Sequence, residues 1–268
     1  MVIFSFEKDL TSKGKIGRIF LGPDFFDGEL AYGPKEEAHY VKNVLRGTRG
    51  DEIVVLNGLG EEFKGIIEEL DNKGFVVRLK EKVEVDRETS SNIIVAQGLC
   101  KKDKWEMILQ KTTELGIDKI QPFYSENSVV RHKSNKDLNK KLLRWEKILK
   151  NASQQSDRQL IPELNPPLNF EEMIKEYSEN HTKIIFNEHE EKNDVSILPK
   201  VFSEALPTNP VMLVVGPEGG FTKKEINIAL ENGFKSVALG RRILRTETAA
   251  VVVTAIVLYQ LGEMGVMP

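Results

Sequence analysis

Cysteine is almost absent from this 268-residue chain. Cys100 stands alone, so no disulfide can form within the chain and no cysteine-based zinc site can be built. Histidine is nearly as scarce: His39, His132, His181 and His189 are scattered, without the spacing that lets imidazoles converge on a metal, and no metal is expected. A reducing compartment suits this usage. Long apolar runs are missing as well. The opening MVIFSFEKDL has no basic segment followed by an apolar stretch and does not read as a signal peptide. Ala249–Leu258 is too short to span a bilayer. A soluble, intracellular protein without a membrane partner is expected. No G-x-G-x-x-G order occurs at the glycine-rich turns, and no Gly-Lys-Ser/Thr follows them, which argues against a dinucleotide fingerprint and a phosphate-binding P-loop.

A strong net charge is lacking too, since the chain carries a formal −3. The balance is uneven along its length, however. Residues 1–86 sum to −4, residues 99–158 to +6 and residues 159–268 to −5. The basic excess in the middle can hold a polyanion by neutralising phosphates. It can equally be the solvated face of a helix across Lys133–Lys150.

What is present divides the chain in two. The first third carries short strand signals at Gly17–Leu21, Glu52–Asn57, Glu61–Leu70 and Gly74–Val85, separated by Gly22-Pro23, Asn57-Gly58 and Asp71-Asn72. Asn57-Gly58 between two such runs signals a hairpin, and this spacing of strands indicates a small barrel. Pro34–Leu45 reads as a helix with Ala38, Val41, Val44 and Leu45 on one face. The polar Asp86–Asn92 marks a boundary, giving domains 1–86 and 87–268. Beyond it strands and helices alternate: Ile93–Leu99, Lys104–Leu115 capped by Gly116, Ile120–Tyr124, Asn135–Gln155, Lys183–Asn187, Val211–Val215, Lys223–Asn232, Ser236–Leu239 and Glu247–Leu261. This alternation predicts an α/β domain with a mainly parallel sheet covered by helices.

Two segments in that domain point to a ligand. In VMLVVGPEGGFT (211–222) an apolar strand runs into Gly216-Pro217-Glu218-Gly219-Gly220, and Thr222 can cap a helix. Glycines there allow a sharp bend and close approach to a ligand, at the sheet edge where open α/β sheets bind ligands. A tight structural turn is the plainer reading. In LGRRILRTETAA (239–250) another strand end opens a helix, with Arg241, Arg242 and Arg245 gathered beside Thr246, Glu247 and Thr248. These arginines are either surface charge, a pair with Glu247, or part of a pocket shared by the two loops.

GPEGGFT followed by LGRRILRTETAA resembles the RsmE family, methyltransferases of the SPOUT superfamily acting on uridine N3 in 16S ribosomal RNA. AQGLCKKDKWEMILQKTTELGIDKIQPFYSENSVV, RWEKILKNASQQSDR and HYVKNVLRGTRGDEIVVLNGLG extend the resemblance over most of the chain. It departs at Gln154, where the family usually has an acidic residue. The resemblance implies a knotted, trefoil SPOUT domain preceded by a PUA-like RNA-binding β-barrel domain. It implies S-adenosyl-L-methionine as methyl donor, the small ribosomal subunit as partner, a homodimer paired through the knot and last helix, and a cytoplasmic location. Relatives acting on a ribose 2′-hydroxyl or a transfer RNA base, and a non-catalytic RNA-binding factor, are the competing readings.

On this resemblance the donor site comprises Val215, Gly216, Pro217, Glu218, Gly219, Gly220, Leu239, Gly240, Ile243, Leu244, Thr248 and Ala249. Leu239, Ile243 and Leu244 are expected to supply an apolar wall. Arg245 is the expected stabiliser of an anionic uracil, with Glu218 and Glu247 as alternative bases or orienters. RNA contacts are expected from His39, Lys42, Arg46 and Arg49, the helix placing Lys42 and Arg46 on one face. Lys101, Lys104, Asn127, Arg131 and Arg158 complete this set. Trp105 and Trp145 suit base stacking or, more simply, core packing.

Overall fold

A computed structural model describes residues 15–85, 87–131, 134–177, 182–187 and 210–265. The chain divides into two compact units, 1–87 and 88–268.

In the first unit, strands β1 (Lys15–Phe20), β2 (Phe26–Asp27), β3 (Leu30–Pro34), β4 (Glu52–Leu56), β5 (Glu62–Leu70) and β6 (Gly74–Lys82) surround one helix, α1 (Lys35–Asn43). They form a sheet in the order β1-β4-β5-β6-β3-β2, antiparallel except where β1 meets β4. Asn57-Gly58 does lead from β4 into its antiparallel partner β5. Asn57 Oδ1 accepts from the Leu59 and Glu61 N–H groups and so builds the turn. Ile19, Ala31, Val41, Ile53, Ile67 and Val77 meet in one core. Beside it Glu62, 3% exposed, is held between Arg18 and Arg87.

The predicted first helix needs correction. It stops at Asn43, and Arg46 adopts a left-handed φ of 56°. Lys42 and Arg46 therefore do not share a helical face. Neither β2 nor β3 is apparent in the pattern: β2 has only two residues, and β3, LAYGP, ends in the turn-forming Gly33-Pro34.

The second unit runs β7 (Ile93–Gly98), α2 (Lys102–Leu115), β8 (Lys119–Tyr124), α3 (Asn135–Gln155), β9 (Glu163–Leu164), β10 (Leu168–Asn169), α4 (Phe170–Glu176), β11 (Thr182–Phe186), β12 (Val211–Val215), α5 (Lys223–Glu231), β13 (Lys235–Val237) and α6 (Thr246–Gln260). Its described strands follow the order β10-β8-β7-β12-β11-β13, with β9 beside β8, and every pairing is parallel. Both faces are covered, which explains why β7 and β12 are buried throughout. Ile93, Val95, Leu213 and Val215 pack against Trp105, Leu109, Leu149 and Val253 from α2, α3 and α6. Ile94, Ala96, Met212 and Val214 pack against Met173 of α4 and Ala229 of α5.

Trp105 and Trp145 lie in the first of these cores, with ring centroids 5.0 Å apart and rings inclined at 55°. At 2% and 5% exposure they are not base-stacking platforms, so core packing is the reading that holds. The helix α4 does not stand out in the sequence because seven residues are too short for a clear 3.6-residue period. The last strand ends at Val237 rather than Leu239, which leaves Leu239 in the loop leading to α6.

Candidate active site

Parallel strands place their C-terminal ends on one edge, so the segments after β7, β8, β12 and β13 converge. Gly98 lets the first and third meet: a Cβ there would lie 2.6 Å from Pro217 Cδ and N. The third and fourth are tied from below by buried polar groups. Thr246 Oγ1, at the start of α6, donates to the Gly216 carbonyl at 2.6 Å. Gln97 Nε2 reaches the same carbonyl at 3.1 Å and Thr246 Oγ1 at 3.0 Å. Each such bond contributes about 1 kcal/mol, and together they set the spacing of the two loops.

Between the loops lies a cavity of about 420 Å³, within the range of small-molecule sites. One wall is Val215, Gly216, Pro217, Glu218 and Gly220; the other is Leu239 through Arg245, with Thr246 and Ala249. Gly240 holds a φ of +116° with open space where a side chain would stand, a conformation that favours glycine. Ile243 is 79% exposed although it borders the cavity. The peptide N–H groups of Gly240, Ile243 and Leu244 have no hydrogen-bond partner among the described residues. An uncovered aliphatic wall beside unclaimed backbone donors fits an adenosine, which has an apolar face to cover and ring nitrogens to bond.

The charged groups form two layers. Lys104 Nζ lies 3.4 Å from Glu218 Oε1 and 3.9 Å from Glu247 Oε2. Burial works against ionisation of Glu218, but N–H donors from Lys101 and from Glu218 itself, with the Lys104 ammonium, outweigh it and hold the carboxyl below the usual carboxylate range. Glu247 Oε2 is buried without a hydrogen bond. Cys100 nearby stays a neutral thiol, its pKa pushed up to about 12 by burial and then by Glu218. Nearer the solvent, Arg241, Arg242 and Arg245 all border the cavity. Arg245 immediately precedes α6 and makes no ion pair or side-chain hydrogen bond among the described residues. The expected alternative of an Arg245–Glu247 pair is therefore not what forms; Lys104 takes that place.

Residues 87–258 match the family pattern of the RNA methyltransferase domain, and residues 34–80 that of the RNA methyltransferase PUA domain. The ribosomal RNA small subunit methyltransferase E of Bacillus subtilis is 32% identical over 84% of this chain and 88% of its own length. The chain belongs to the ribosomal RNA small subunit methyltransferase E family. The Neisseria gonorrhoeae member of the family, solved bound to S-adenosyl methionine, superposes with a TM-score of 0.80 at 30% identity, covering 91% of this chain and 97% of that one. A Legionella pneumophila putative methyltransferase solved with the same cofactor gives 0.81 at 32% identity, covering 90% and 96%.

Within this family fold, not every expected site residue reaches the cavity. Gly219 does not line it; its carbonyl accepts from Asn127 Nδ2 at 3.0 Å. Thr248 is exposed on α6, outside the lining. Among the expected RNA contacts, Arg158 requires correction. It is 4% exposed and spends its donors on Glu88 and on the Thr113 and Ile117 carbonyls, so it cannot also meet a phosphate. Asn127 fastens the Gly219-Gly220 turn, and Lys104 serves the two carboxylates. Lys42 reaches Asn72 Oδ1, while His39, Arg46 and Arg49 are exposed. Lys101 is exposed at the start of α2. Arg131 is exposed, bonded to the Ser125 carbonyl and lying over the Tyr124 ring. Gln154 is buried in the last turn of α3. Gln97 and Thr246 were not predicted as organisers of the site, because their partners are 119 and 30 residues away.

Proposed function

We propose that this chain transfers a methyl group from S-adenosylmethionine to N3 of a uridine in the 16S RNA of the small ribosomal subunit. The observation that carries the reading is the cavity between the Gly216–Gly220 and Leu239–Arg245 loops, in a chain that aligns almost end to end with family members solved with that donor. When bound, the donor supplies a methyl group on a positively charged sulfur. Leu239, Ile243 and Leu244 cover its apolar surface, and the backbone of Gly240 through Leu244 reads its polar edge.

Uracil N3 holds a proton at neutral pH, and that proton must leave before N3 can attack. Glu218 is a poor proton acceptor, being held ionised by several donors, and Glu247 lies against Lys104. Glu218 is therefore assigned to shaping the cavity, and Glu247, which lies outside its lining, to facing Lys104. Arg245 is the catalytic residue in this reading. Its uncommitted guanidinium at the cavity rim stabilises the anionic uracil through the O2 or O4 oxygens and so eases loss of the N3 proton to solvent water. Arg46, Arg49, Lys101 and Arg131, with Arg241 and Arg242, are exposed cations available to phosphates, and His39 is exposed as a further hydrogen-bonding group.

The reading also includes a trefoil knot, a homodimer and a cytoplasmic location. For the knot, the support is that the chain leaves edge strand β13 and returns to the sheet's centre, where Thr246 bonds Gly216. For the dimer, it is α6, where Val251, Val252, Ala255 and Ile256 are only partly buried and Tyr259 is 64% exposed. The location follows from the substrate; no helix among the described residues is long and apolar enough to cross a membrane. Mass mapping of methylated nucleosides on 16S RNA, from cells with and without the gene, tests the function. Loss of one N3-methyluridine is expected; an unchanged map, or loss of a ribose methylation instead, overturns it.

A further inference from the structure

We infer that the Lys104–Glu218–Glu247 cluster is a charge filter, which makes the cavity favour the cationic methyl donor over its uncharged demethylated product. The inference rests on the donor assignment above and goes beyond it to the balance between substrate and product. Its basis is the layering of charge. Lys104 and Glu218 line the cavity, and Glu247 reaches Lys104 from the first turn of α6. Their side chains are 30%, 21% and 12% exposed, so the field of this group is less screened than that of the exposed arginines at the rim. One ammonium and two carboxylates leave it one net negative charge. Cys100 adds none, since its thiol is neutral.

Glu247 Oε2 supports the same conclusion. It is a buried carboxylate oxygen with no hydrogen bond, and its nearest cation stands at 3.9 Å. Its charge is only partly answered within the protein, so a positive group entering the cavity gains from it. S-adenosylmethionine and S-adenosylhomocysteine differ by one methyl group and one positive charge. Contacts that merely shape the cavity act on both alike. A net negative group acts on the difference, and a transferase that holds its donor more firmly than its product turns over without stalling on the product.

The test is the ratio of the two dissociation constants, measured by calorimetry on the full chain at fixed salt. Glu247→Gln and Glu218→Gln remove a negative charge while keeping shape, and each should lower the preference for donor over product about three- to tenfold. That is the size Coulomb's law gives for one charge in a partly exposed site. Lys104→Met removes the positive charge and should raise the preference by a similar factor, even if both affinities fall because the loops loosen. Lys104→Arg keeps the charge and should leave the ratio unchanged. Ratios that stay within twofold of wild type in all the glutamine and methionine variants, or that move in the same direction, overturn the inference. Failure of the wild-type chain to bind either ligand would instead sink the donor assignment itself.

Discussion

Arg158 offers the sharpest separation between a basic residue that binds RNA and one that holds the protein together. Its Nε and Nη2 donate to Glu88 Oε2 at 3.0 and 2.6 Å, and Nη1 donates to the Thr113 and Ile117 carbonyls at 3.1 and 2.8 Å. Glu88 Oε1 in turn accepts from the Gln159 and Leu160 N–H groups at 2.6 and 3.0 Å. The pair thus joins the start of the second unit, the end of α2 and the exit from α3. Arg158→Met keeps much of the volume but leaves Glu88, 14% exposed, without its cation and leaves two carbonyls bare. Removing one member of a buried pair costs about 3–5 kcal/mol. At about 2–4 °C per kcal/mol for a domain of this size, the melting temperature of the second unit should fall by roughly 6–20 °C. Adding Glu88→Gln keeps an acceptor for Gln159 and Leu160 but removes the stranded charge. The double variant should recover at least about 1 kcal/mol relative to the sum of the single changes. Calorimetric unfolding measures the stability, and RNA affinity is measured below the transition. Should Arg158→Met melt within 2 °C of wild type while losing RNA affinity, the structural role assigned to this guanidinium is wrong.

Arg245→Ala should reduce methyl transfer about 10²–10³-fold while leaving donor affinity nearly intact, and Arg245→Lys should retain a trace of activity that rises with pH as uridine ionises unaided; normal turnover in the alanine variant, or loss of donor binding with activity, refutes the role. A dimer is expected in sedimentation at micromolar concentration, with Tyr259→Glu shifting it towards monomer; wild-type protein that sediments only as monomer excludes pairing through α6. Burial opposes ionisation of Glu263, but hydrogen bonds from Ser90 and Ser91 outweigh it and hold its pKa below the ordinary 4.5. A depressed folded-state pKa gives stability that is present above that value and lost as pH falls through the lower one. Glu263→Gln should therefore lower the melting temperature at neutral pH and flatten its fall below about pH 4.5, so a parallel displacement of the whole curve would count against the linkage.

Local physical chemistry was enough for much of the scaffold. Continuous apolar runs marked β7 and β12 because both faces of a helix-covered parallel sheet are dry. Thr222 announced α5 because its hydroxyl accepts from the N–H group three residues on. The two glycine-bearing loops were visible as motifs, and parallel connectivity implied that they would lie on one edge. The division of labour among the basic residues was decided only in three dimensions. Lys104, Asn127 and Arg158 stand among the RNA contacts expected from the sequence, yet the folded chain gives Lys104 to two carboxylates, Asn127 to the Gly219-Gly220 turn and Arg158 to Glu88. Residue type sets how many protons or charges a side chain can offer. Which partner accepts them depends on groups 70 to 143 positions away for Arg158 and for Lys104 with Glu247, brought near by the packing of the sheet and its helices, and no window of neighbouring residues contains that information.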